Sequence, residues 1–235
     1  MWKVTGDTLG VRTVGSRRVG RGLLLVTLAV MCVFIAVFTL GRVVSIPDAK
    51  ALMDIGAEAN IPTWWNTMLL ALVAALAAIA WRAESDRGPR TAWAAVTAAG
   101  TYLSIDEAAV LHEKLGVPMR EAGLDVVTYA WVLPGAAFAI LATLVLVRLG
   151  RRLPRPTGGR LGLALVVYGG AAVGIEGVNG VMSRNGHGLD FTVGIILEEG
   201  LEMGACIIAV CAILDHLLSG DHGPSLERLG RPKAA

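Results

Sequence analysis

The chain has 235 residues, of which 54% are hydrophobic and 17% charged, with a formal net charge of +2 and a mean hydropathy of +0.62. That balance excludes an ordinary soluble domain, and the basic residues fall in short clusters without interleaved aromatics, which argues against a nucleic-acid surface. Several apolar runs approach or reach the roughly 18–20 residues that cross a bilayer, so the expected fold class is all-α, a polytopic membrane bundle of six transmembrane helices.

Residues 1–21 are polar and basic, with Lys3, Arg12, Arg17, Arg18 and Arg21 against Asp7. The first span covers about 22–41. It is longer than a signal-peptide core and no small-x-small cleavage site follows it, so it reads as a retained helix. Residues 43–61 form a loop in which 47–55 suits a short amphipathic helix on the membrane surface. The second span, about 62–81, opens with Trp64 and Trp65, which fit an interfacial aromatic belt. A charged turn at 82–90 leads to the third span, about 91–116, which contains Asp106, Glu107, His112 and Glu113.

The fourth span, about 125–149, carries Tyr129, Trp131 and Pro134. A basic loop follows, and then a glycine-rich fifth span, about 161–182, with Glu176 and Asn179. His187 reads as a solvated loop residue. The sixth span, about 191–218, carries Glu198, Glu199 and Glu202, and residues 219–235 form a polar tail. Cys32, Cys206 and Cys211 lie within spans and read as packing residues. With six spans both termini share one side, which holds sixteen of the twenty-one Lys and Arg residues. The positive-inside rule then makes both termini cytoplasmic, in a cell membrane expected to be a bacterial inner membrane.

A charge in hydrocarbon costs ~2.5 kcal/mol or more, so intramembrane acids face partners in a bundle interior and mark a functional site by default. At a rise of ~1.5 Å per residue, Asp106 and Glu176 each lie ~22 Å along their spans from the inner face. Glu198 and Glu199 lie ~10 Å and Glu202 ~15 Å below the outer face on the returning helix. Acids from three helices are therefore expected at one level in the outer half of the membrane. Glu202 shares a helix face with Glu198 and also neighbours Glu199. On a straight third helix Asp106 and Glu113 stand ~10 Å apart along the axis, so a deep pair, Asp106 and Glu107, is expected well below a shallow pair, His112 and Glu113.

Six carboxylates at 106, 107, 176, 198, 199 and 202 cannot all ionise together in a low dielectric. A divalent cation would relieve the repulsion, and iron, manganese or zinc suits a donor set of carboxylates with one histidine. Di-metal bundles use Glu-x-x-His, whereas this chain has Glu-x-x-Glu at 199–202. The expected metal ligands are Glu176, Glu198, Glu199, Glu202, His112 and Glu113. Asp106 or Glu107 is the expected general base, and Trp131, Tyr129 and Asn179 the expected substrate contacts. Asn66 and Asn179 are further candidates as hydrogen-bond partners of the acids. The function expected is a membrane metalloenzyme that hydrolyses or oxidises a lipid-like substrate. The alternatives are a proton- or cation-coupled transporter, or a metal-sensing or assembly protein.

Overall fold

The computed structural model describes residues 7–123, 128–184, 186 and 188–219. Residues 1–6, the first residues of the expected fourth span, His187 and most of the polar tail lie outside that set. Among the described residues every regular element is helical: α1 (Asp7–Leu40), α2 (Pro47–Met53), α3 (Ile61–Ala83), α4 (Arg87–Ala109), α5 (Leu111–Glu121), α6 (Val132–Gly150), α7 (Arg155–Gly169), α8 (Glu176–Arg184) and α9 (Leu189–Leu218). A π-helical stretch, Gly170–Ile175, joins α7 to α8.

Five helical segments are long and apolar enough to cross a membrane: Gly15–Leu40, Ile61–Ala83, Val132–Gly150, Arg155–Arg184 and Leu189–Leu218. Their boundaries move from those expected. The first helix reaches back to Asp7, the fourth span begins its helix at Val132, and the fifth starts at Arg155 behind Pro154. The third expected span, 91–116, is not one helix. It stops at Ala109, Val110 takes the left-handed conformation with φ 53° and ψ 48°, and α5 starts afresh at Leu111. That conformation costs a non-glycine residue of the order of 1–2 kcal/mol, so the surroundings must hold it.

The ends of the helices follow local chemistry. Asn60 caps α3, its Oδ1 accepting from the Thr63 N–H at 3.0 Å, and Pro62 sits in the first turn where no backbone donor is needed. The Asn60 Nδ2 also donates to the Asp54 carbonyl at 2.6 Å. The loop between α2 and α3, which carries Glu58, is thereby fixed beside the start of α3.

Helix α9 is the axis of the bundle. In its most apolar window 56% of residues are buried, against 11% for α1 and α6, whose large apolar side chains such as Leu25, Leu141 and Leu144 are exposed as lipid contact requires. Met203, Val210 and Ile213 pack with Leu69, Val73 and Ala77 of α3 and with Trp93 of α4. Helices α3 and α4 approach closely where Gly100 faces Ala74; a Cβ at 100 would lie 3.1 Å from the Ala74 nitrogen. At the end of α9 beyond this core, Asp215 takes hydrogen bonds from Ser16 and Arg160, joining α1 and α7. At the opposite end the packing opens into a cavity.

Candidate functional site

The cavity has a volume of about 710 Å³ and is lined by all eleven residues that the sequence nominated. Asp106 and Glu107 come from the end of α4, and His112 and Glu113 from the start of α5. Tyr129 and Trp131 precede α6, Glu176 and Asn179 lie on α8, and Glu198, Glu199 and Glu202 lie on α9. Two features bring the segments together. The Thr128 Oγ1 donates to the Gly177 carbonyl at 2.6 Å and Arg184 to the Thr128 carbonyl at 3.1 Å, which pins the approach to α6 onto α8. The π-helical stretch widens the backbone just before Glu176; such bulges occur disproportionately at functional sites.

The acids are held in pairs by donors. One nitrogen, Nδ2 of the fully buried Asn66, donates at 3.1 Å to Glu107 Oε1 and at 3.1 Å to Glu202 Oε2. The Asn179 Nδ2 donates to Glu198 Oε2 at 2.6 Å. Gly194 makes room for that amide, since a Cβ there would lie 2.0 Å from Asn179 Oδ1. The Trp131 indole N–H donates to Glu176 Oε1 at 3.1 Å, and the Glu176 and Glu198 carboxyls are within hydrogen-bonding reach of each other.

The break at Val110 corrects the expected separation of deep and shallow pairs. By turning the chain it brings His112 Nδ1 to 3.1 Å from Asp106 Oδ2, six residues away, where a continuous helix would have carried it past. The imidazole also packs on the Trp131 ring, with centroids 4.7 Å apart. Those two contacts offset the strained backbone. The other Asp106 oxygen, Oδ1, is buried with no hydrogen-bond partner among the described residues.

Glu58, Tyr168, Arg120 and Arg184 also line the cavity, although no sequence pattern points to them. Glu58 lies in the α2–α3 loop, and nothing in its neighbourhood marks that loop as folding inward. Burial pushes its carboxyl above the ordinary carboxylate range, and the nearby His112 opposes the shift. Its Oε2 is a second buried acceptor without a partner among the described residues. Asn66 is the residue where a sequence signal existed: an amide in an apolar span, opposite acids at the same level.

Eight carboxyl groups line the cavity, yet no three His, Cys, Asp or Glu side chains among the described residues come close enough together to hold one metal ion. The pairing explains why. The Asn66 amide stands between Glu107 and Glu202, where a bridging cation would otherwise lie, while Asn179 and Trp131 each hold a single acid, Glu198 and Glu176.

Residues 22–217 match a family described as a domain of unknown function (DUF8692), and the chain belongs to that family. No curated protein and no solved structure matches it.

Proposed function

We propose that this member of the family is a membrane-embedded enzyme that performs proton-transfer chemistry on a lipid-like substrate held in the acid-lined cavity. The observation that carries the reading is Asp106: one oxygen fixed by His112, the other buried, unpartnered and on the cavity wall. A carboxylate oriented through one oxygen and free at the other has the form of a general base. Glu107, held through Oε1 by the Asn66 amide, is the alternative base. Glu176 and Glu198, within reach of each other and each held by a neutral donor, form a second unit able to deliver or accept a proton on the far wall. The cavity volume lies within the ~300–1,000 Å³ of ligand pockets. Its wall between the acids includes Phe138, Ala139 and Ile195, which suit a hydrocarbon substrate entering from the side.

In the bilayer, α4 and α5 form the remaining span, so that six cross and both termini lie in the cytoplasm. The Lys and Arg asymmetry supports this, and the acid cavity then opens toward the outer leaflet. A divalent ion, iron, manganese or zinc, is proposed as a further component. Transport is the weaker reading, because between Glu202 and Asp215 α9 carries no titratable group except its cysteines, and the core around it is apolar.

The test is purified protein in mild detergent, incubated with a membrane lipid extract, with products followed by mass spectrometry and metal content measured alongside. Conversion by the wild type and its loss in Asp106→Asn is the expected result. An unchanged lipid profile across the extract would overturn the enzyme reading. Stoichiometric metal lost in Glu202→Gln would support the ion, and its absence in the wild type would remove it.

A further inference from the structure

A second cavity, of about 540 Å³, runs between α3, α4, α6, α7 and α9 toward the end of the bundle away from the acids. Its lining is apolar apart from Tyr168, Cys206 and two charged residues, Arg151 and Arg155, at the turn between α6 and α7. It adjoins the acid cavity: Ala99, Leu103, Leu146, Leu165 and Tyr168 line both. Among the described residues neither Arg151 nor Arg155 takes part in an ion pair, whereas Arg160 nearby is held by Asp215. From Arg155 to Tyr168 is ~20 Å of helix, more than the ~15 Å of one leaflet's hydrocarbon.

We infer that this slot binds a single-chain amphiphile with an anionic headgroup, the head at Arg151 and Arg155 and the chain running past Tyr168 into the acid cavity. The inference deepens the function proposed above, and rests on it for the claim that this ligand is the substrate. Charge fixes the orientation. An anionic head at the opposite mouth, beside Arg120 and Arg184, would sit among eight carboxyl groups; at Arg151 and Arg155 it meets guanidinium groups and no acid among the slot's lining residues. The chemistry of the acids then falls on the chain, not on the head.

A long-chain alkyl phosphate with a diazirine near its tail end, added to the protein in nanodiscs of neutral lipid, reads this directly. Photolabelling is expected at residues near Tyr168 and the acid cavity. It should fall by about tenfold or more in the double variant Arg151→Gln/Arg155→Gln, which removes both charge-assisted partners of the head. It should be weak for the alkyl alcohol of the same chain. Gly162→Leu is the second variant. Gly162 lines the slot, and a Cβ there meets nothing within 4 Å, so a leucine side chain starts into open space and should block labelling while the protein stays folded. Equal labelling by the alcohol, labelling that survives the double variant or Gly162→Leu, or labelling abolished by Arg120→Gln instead would each overturn the assignment. Labelling retained by Glu202→Gln with no lipid turned over by the wild type would keep the slot and sink the enzyme reading. Turnover that ignores Arg151 and Arg155 would do the reverse.

Discussion

The two halves of α9 are built on opposite terms. From Met203 to Leu217 the helix buries apolar side chains against α3, α4 and α7. One turn earlier, Glu198, Glu199 and Glu202 face a cavity large enough for a ligand, and the hydrogen bonds from protein to carboxyls there come from amide, indole or imidazole groups. One half holds the bundle together; the other sets aside packing to keep acids in reach of a substrate. The comparison predicts that substitutions will divide by half, the first set acting on stability and the second on turnover.

The sharpest form of the contrast pairs Trp93→Ala with Glu202→Gln. Trp93 is fully buried in the apolar half, and its truncation should cost about 3–5 kcal/mol, read as a fall in unfolding temperature in detergent. Turnover per folded molecule should be kept. Glu202→Gln should lower turnover by about 10²-fold or more while leaving the unfolding temperature unchanged or higher, because a buried ionisable group is replaced by a neutral one of the same shape. If both variants lose stability equally, the division between halves fails.

Asn66→Leu probes the seam between the halves. It removes the one donor shared by Glu107 and Glu202 and leaves two buried acceptors without it, at a cost of about 1–3 kcal/mol. If a divalent ion can take the amide's place, added iron, manganese or zinc should restore the unfolding temperature of Asn66→Asp but not of Asn66→Leu. No rescue by any of the three would argue that the acids work without an ion.

The all-helical class, the long apolar helices and the gathering of the nominated acids around one cavity were legible in the sequence, because run length and helical rise set where a residue falls along its helix. The pairings were not, because they depend on direction. Nothing in the residues around Val110 announces a left-handed turn, for a β-branched side chain is among the least suited to one. The turn is imposed from outside, by the Asp106–His112 bond and the Trp131 face, and it is what converts two separate pairs into one cluster. Val110→Gly should therefore stabilise the fold by about 1 kcal/mol, since glycine adopts the same backbone without the penalty. A loss of stability instead would mean that the Val110 side chain contributes packing that outweighs its strain.

The smallest expected effect comes from Glu58, and it tests whether the loop closes over the acids in solution. Burial raises its carboxyl above 4.5, with Glu113 and Asp106 adding to the rise and His112 and the Thr63 hydroxyl opposing it. A folded carboxyl that binds its proton more tightly than the unfolded chain favours the fold at low pH, and that contribution is lost as pH rises through the raised value. The wild type should accordingly lose unfolding temperature, relative to Glu58→Gln, as pH climbs above 4.5. The two proteins should converge at lower pH, where both carry a neutral group at 58. If the loop stayed open to water, Glu58 would titrate as a free carboxylate and the two curves would run parallel throughout. Parallel curves would also remove Glu58, with its unpartnered Oε2, from the wall of the cavity.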